Sequence, residues 1–233
     1  MIIFLCLVLI YIVLQSLYSG YYLMRGGKLT KTTYTKSAEF GHKDKQKFRL
    51  LILGDSVAAG VGASSFETSV SGRVALDLAK DRHVIFQSNA KTGLRMADLL
   101  NVKAPDEKQD LILMIISSND LFHFGSISKF KDDVPKVFEK YAPHAAHIIV
   151  VGPGRVFDSG AIPFIIKPIY KVQGAKYAVI LSANSAKFSN FSYINPLDPP
   201  KGIEEVRDWS SVDKFHPGDN GYEFWFNMVK TAL

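Results

Sequence analysis

Four short apolar runs, Leu50–Leu53, His83–Gln87, Leu111–Ile116 and His147–Val151, recur along the chain. Their spacing is roughly 30 residues, the length of one strand–helix–strand unit. Each is apolar or nearly so, as strands buried on both faces require. Between them, Phe66–Lys80, Leu94–Asn101 and Ser128–Tyr141 carry helical patterns. Ile162–Asn184 reads as a further helix with a break at Pro168, Asn190–Ile194 as a fifth strand, and Gly218–Ala232 as a closing helix. Strands alternating with helices predict an α/β protein, a parallel sheet covered by helices on both faces. Sites in such sheets form at the carboxyl ends of strands. Ser56, the Asn89–Gly93 loop and Asn119 all fall there.

The segment before this pattern has a different character. Met1 to Met24 carries no charged side chain, and Ile2 to Leu14 is almost wholly apolar. A membrane-spanning helix needs about 20 such residues. Tyr18, Tyr21 and Tyr22 suit one interface, where amphipathic rings sit. A cleaved signal peptide is the rival reading. It wants a basic start and a small-residue cleavage site, and neither is clear here. Residues 1–24 are therefore read as an anchor and 25–47, polar and without periodicity, as a basic linker. Residues 48–233 form the globular domain. Arg25, Lys28, Lys31, Lys36, Lys43, Lys45, Lys47 and Arg49 cluster just after the apolar segment and supply much of the net charge of +6. Such a flank suits an anionic membrane surface, and by the Lys/Arg bias it places the domain on the cytoplasmic side. No aromatic-basic interleaving of the RNA-binding type is present, so nucleic acid is not an expected partner. The single cysteine, Cys6, excludes an intrachain disulfide and a cysteine-built zinc site. No metal or other cofactor is expected.

The candidate chemistry lies at the two ends of the domain. Ser56 follows the first apolar run in Gly54-Asp55-Ser56, and Asp213-Lys214-Phe215-His216 lies near the C-terminus. A serine hydroxyl is a weak nucleophile until a base takes its proton. His216 is a candidate base, and Asp213, three residues earlier, reaches its imidazole if the segment turns. The stretch after Ser56 lacks the Gly-Lys-Ser/Thr of a phosphate loop and the full spacing of a dinucleotide fingerprint. It is not a G-x-S-x-G elbow either. Acyl transfer also needs donors aimed at the developing oxyanion. Gly93 is one candidate, through its backbone N–H, and Asn119 is another, through its side-chain amide. A helix-leading turn and an Asn–Asp cap are the structural alternatives for these two.

Taken in order, Gly54-Asp55-Ser56, Gly93, Asn119-Asp120 and Asp213-x-x-His216 resemble the four blocks of the SGNH (GDSL-type) hydrolases. The stretch Gly54 to Ala63 is similar to membrane-anchored bacterial esterase-like members. The resemblance runs from about Arg49 to the C-terminus. It implies a three-layer α/β/α sandwich, flavodoxin-like, with a five-stranded parallel sheet. It also implies Ser56 as nucleophile, His216 as base and Asp213 as its orienting group. The Ser56 and Gly93 backbone N–H groups and the Asn119 side chain would form the oxyanion hole. The bacterial inner membrane is the location it implies. The third block departs from the family: Ser117 stands where glycine is usual.

The function expected from these features is a serine esterase acting on a carboxylic ester, a lysophospholipid or a small acyl ester, through an acyl-enzyme. A glycan O-deacetylase of the same fold and a membrane-tethered binding pseudohydrolase are the alternatives. The run Ile162–Tyr170 is apolar beyond what one helix face requires. It is read as core, with an acyl pocket or membrane docking as other uses.

Overall fold

A computed structural model describes residues 1–26, 35–203, 206 and 208–233. Residues 27–34, in the stretch read as a linker, lie outside the described residues. A helix, α1 (Ile2–Gly26), comes first. Its window Leu5–Tyr22 is long and apolar enough to cross a membrane, a property that signal sequences share, and none of that window is buried.

Six strands form one sheet: β1 (Ser37–Phe40), β2 (Lys47–Gly54), β3 (His83–Ser88), β4 (Gln109–Ile115), β5 (Ala145–Val151) and β6 (Phe191–Ile194). Their order is β1-β3-β2-β4-β5-β6. From β3 to β6 every pairing is parallel, which supplies the five parallel strands expected. β1 adds an antiparallel edge against β3, with Ser37 opposite Gln87 and Phe40 opposite Val84. The sequence reading had placed these four residues in the linker. They hold the edge because Phe40 stacks on Phe66 and meets Phe86 edge-on, with centroids 5.5 and 6.1 Å apart.

Side chains alternate across each strand, so the central strands feed two cores. Leu50 and Ile52 of β2 face α2 (Val70–Leu78) and α6 (Asp219–Lys230). Leu51 and Leu53 face α4 (Ile127–Tyr141) and α5 (Lys167–Ser185). A short helix, α3 (Ser118–Phe122), follows β4 directly.

Three local expectations are corrected. Pro168 begins α5 instead of breaking it, since a proline in the first turn has no ladder bond to lose. Leu94–Asn101 contains a 3₁₀ turn, Met96–Leu100, tightened by the Arg95 N–H donating to Asp98 at 2.8 Å. Within Ile162–Tyr170, Ile162 and Tyr170 are buried and Ile166 packs on the core, while Phe164, Ile165 and Ile169 are exposed.

Within the parallel set the order follows the flavodoxin pattern. The chain moves from β2 to β3 on one side, then returns to β4 on the other. The loops after β2 and β4 therefore part at a topological switch point, the usual place for a site in an open parallel sheet.

Candidate active site

Strand β2 ends in Gly54, whose φ of +143° admits no ordinary side chain. A Cβ there would stand 1.8 Å from the Ile115 carbonyl oxygen of β4. The chain then coils. The Ala59 N–H donates to Asp55 O at 3.0 Å, and Val61 N–H to Ser56 O at 3.0 Å. The Asp55 side chain fixes this turn by accepting the Val57 N–H at 2.9 Å. Ser56 thereby stands at the tip of β2.

The C-terminal block is a small turn packed against this coil. Ser211 N–H donates to His216 O at 2.8 Å, and Lys214 bridges the turn in a left-handed conformation, φ +57°. Gly62 is where the two loops meet. A Cβ on it would lie 2.4 Å from Pro217 O and 3.1 Å from the His216 Cβ. Farther out, Tyr222 of α6 donates to Val61 O at 2.7 Å, and Asp219 accepts from Ser64 N–H and Oγ at 2.8 and 2.6 Å. These bonds lock the start of α6 to the loop bearing Ser56.

The result brings together three residues far apart in sequence. His216 Nε2 lies 3.0 Å from Ser56 Oγ, and His216 Nδ1 lies 2.5 Å from Asp213 Oδ2. The other Asp213 oxygen accepts from Ser211 Oγ at 2.7 Å and from the Phe215 and His216 N–H groups at 2.9 Å each. Burial raises the pKa of Asp213, but His216 and these donors outweigh it and hold the carboxyl at about 2. It is an anion aimed at Nδ1, which orients the ring so that Nε2 faces the serine hydroxyl.

Asn119 lies in the first turn of α3 and lines the same cavity as Ser56. Its amide donates one N–H to Leu94 O at 3.1 Å. A primary amide has two N–H groups, so one is left for a ligand. Asp120 accepts the Met96 N–H at 2.9 Å, so the Asn–Asp pair clamps the loop that carries Gly93. Gly93 itself has φ +85° and open space where a Cβ would go. Ser117 holds φ +91° without being glycine. It is fully buried, and its hydroxyl has no partner among the described residues.

The cavity beside Ser56 has a volume of about 100 Å³. Trp209, Phe224, Trp225, Val156 and Phe215 supply apolar wall. Arg155 and Asp158, an ion pair, give that wall its charged edge. Sequence reading missed these wall residues, because aromatic residues in the closing helix look like core. Trp225 is in fact both wall and core.

A serine, an imidazole and a buried carboxylate in this geometry can form and hydrolyse an acyl-serine. The sequence of residues 52–224 matches the GDSL-like lipase/acylhydrolase family model. No curated protein sequence matches the chain significantly. Several solved structures share the fold. Phospholipase A1 from Streptomyces albidoflavus NA297 superposes with a TM-score of 0.60 at 17% identity, over 80% of this chain and 99% of that one. TesA gives 0.61 at 17% identity, over 79% and 97%. A catalytic mutant of Axe2, an acetylxylan esterase from Geobacillus stearothermophilus, gives 0.61 at 13% identity, over 82% and 95%. With most of its length matched by the family's sequence pattern, the chain belongs to the GDSL-like lipase/acylhydrolase (SGNH) family of carboxylic ester hydrolases.

Proposed function

We propose that the chain is a membrane-anchored serine esterase in which Ser56 attacks the ester carbonyl. The observation that carries this reading is the continuous Ser56–His216–Asp213 hydrogen-bond chain, at 3.0 and 2.5 Å. As Ser56 Oγ bonds to the carbonyl carbon, His216 Nε2 takes its proton. Asp213 stabilises the resulting imidazolium. The Ser56 and Gly93 N–H groups and the second Asn119 N–H receive the oxyanion. Collapse breaks the ester C–O bond, and the leaving alcohol takes the proton from His216. Water then repeats the sequence on the acyl-serine, releasing the acid.

The cavity favours a small acyl group over a long chain. An apolar cavity of about 150 Å³ holds one benzene, and the space here is smaller. Its ion pair suits a polar group on the substrate. The family's lipases and the acetylxylan esterase likeness support the same chemistry without choosing the alcohol. We place α1 as an uncleaved anchor with the domain on the cytoplasmic side, from the basic flank beginning at Arg25.

The test is labelling of the full chain with a fluorophosphonate, together with hydrolysis of chromogenic esters from acetyl to dodecanoyl. Ser56→Ala should abolish labelling and lower kcat by a factor on the order of 10⁴ to 10⁶. Acetyl and butyryl esters should be preferred. Equal labelling of both proteins would remove Ser56 from the mechanism. Protease shielding of the domain in intact cells tests the orientation.

A further inference from the structure

Helix α5 is apolar on both sides. Tyr170, Tyr177 and Leu181 fill the core. On the opposite side, Ile169, Val172, Lys176 and Val179 follow at i, i+3, i+7 and i+10, which places them on one stripe. The apolar members are exposed: Ile169 by 48%, Val172 by 58% and Val179 by 68%. Phe164 and Ile165, just before the helix, continue the stripe and are 74% and 51% exposed. From Ile165 to Val179 it runs roughly 21 Å. A surface helix ordinarily turns polar residues to water; here exposed aliphatic side chains share that side with Lys171 and Lys176. The only charges on this helix are Lys167, Lys171 and Lys176, and no Asp or Glu occurs anywhere in residues 159–197.

We infer that this stripe docks the domain onto an anionic lipid surface. Aliphatic side chains flanked by lysines, with acidic residues excluded, are the composition that lies in a membrane interface. Protein interfaces deplete lysine instead. Phe164 and Ile165 also line a shallow apolar groove with Leu7, Val8 and Tyr11 of α1. Exposed Phe124 stacks on Tyr170, on the core side of α5, at 4.8 Å. From there, ring contacts run Tyr170–Phe122 at 6.3 Å, Phe122–Phe215 at 5.0 Å and Phe215–His216 at 5.1 Å. These contacts tie α5 to the loop bearing His216, and docking on the stripe holds the domain at the bilayer surface.

The experiment uses the full chain with Cys6→Ser, since Cys6 is the only cysteine. Nitroxide labels are placed through Val172→Cys, Val179→Cys and, as a control on the exposed loop before β4, Lys103→Cys. The protein is reconstituted into vesicles of phosphatidylglycerol and phosphatidylethanolamine. Accessibility to lipid-soluble oxygen and to a water-soluble nickel chelate is then compared. Labels at 172 and 179 should favour oxygen, and the label at 103 the chelate. Lys171→Glu and Lys176→Glu should each lower the docked-to-undocked ratio by roughly fivefold or more, the worth of one basic residue at an anionic surface. Circular dichroism and fluorophosphonate labelling, both unchanged, would show that the variants are folded with Ser56 reactive, so that a failed docking is told apart from a failed esterase. Chelate-accessible labels at 172 and 179 in anionic vesicles would overturn the inference. So would shielding that persists in detergent: with concentration-dependent spin–spin broadening it marks a second copy, and without broadening it marks cover by α1.

Discussion

Replacing Ser117 by glycine should stabilise the protein. Ser117 closes β4 and caps α3, with its carbonyl accepting the Leu121 N–H at 3.0 Å, so its backbone angle is fixed from both sides. At φ +91° and ψ −7° it stands in a region that costs a residue with a Cβ about 1 kcal/mol or more. Its hydroxyl is buried without a partner, which adds about 1 kcal/mol of unrecovered desolvation. Against these gains, glycine costs about 0.5–1 kcal/mol in backbone entropy. Deleting the buried Cβ costs about 0.8 kcal/mol more. The balance is a gain of about 0.2–0.7 kcal/mol, or a rise in Tm of about 0.5–3 °C for a domain of this size. The assay is thermal unfolding of the full chain in detergent micelles, followed by near-UV circular dichroism. Ser117→Ala, measured beside it, keeps the left-handed angle and removes only the hydroxyl, so the difference between the two variants isolates the backbone term. Ester hydrolysis should be retained within about threefold in Ser117→Gly, because Asn119 remains tied to Leu94. A fall in Tm for glycine, or a glycine variant less stable than the alanine variant by about 1.3 kcal/mol or more, the entropy and Cβ costs with no strain to offset them, would refute the strain argument.

Asp213→Asn should keep the fold but lower kcat by about 10⁴, because an amide facing Nδ1 selects the tautomer whose Nε2 already carries a proton; kcat within tenfold of the unaltered protein would show that Asp213 does not set the tautomer. Asp55 is fully buried, and desolvation lifts its pKa to about 7 despite the Val57 N–H bond. A carboxyl raised in this way contributes stability that is complete below about pH 4 and is lost as pH rises through 7. Asp55→Asn, which cannot ionise, should therefore gain in Tm relative to the unaltered protein between pH 5 and 8; a constant difference would show that Asp55 does not titrate there. Gly54→Ala drives a Cβ into the Ile115 carbonyl and should cost more than about 4 kcal/mol, read as loss of soluble, labelled protein. Tyr222→Phe strips Val61 O of its donor and should cost about 1–2 kcal/mol in chemical denaturation, with little change in the labelling of Ser56 by fluorophosphonate.

The parallel strands were legible because burial on both faces leaves an uninterrupted apolar run. β1 was not. Ser37–Phe40 has no such run, since an edge strand needs one apolar face only, and its partners are 44 or more residues away. The site followed the same division. Ser56, Asp213 and His216 sit on short turns whose glycines and polar residues mark them in sequence. The walls of the cavity come from side chains with ordinary apolar reasons to exist, and nothing local separates Trp209 or Phe224 from a core residue. Ile162–Tyr170 shows the limit of composition. Its apolar content was plain, but which of its side chains turn inward depends on where α5 begins, and that is fixed by tertiary packing of Tyr170 and Tyr177.

Three carboxylates lie buried around Ser56, and the fold treats them differently. Asp213 receives three donors on one oxygen and the imidazole on the other, and remains ionised down to about pH 2. Asp55 and Asp120 are each given fewer, and burial carries them up to about 7 and about 6. As pH falls from neutral, the charges beside the nucleophile turn and the Asn119 turn are thus neutralised before the one facing His216. His216, with the donors beside it, decides which carboxylate keeps its charge. The two motif aspartates have structural work that explains their positions: Asp55 winds the turn that presents Ser56, and Asp120 holds the Gly93 loop against Asn119. On this account the aspartate beside the serine shapes the backbone that presents Ser56, and the hydrogen bond that orients His216 comes from Asp213.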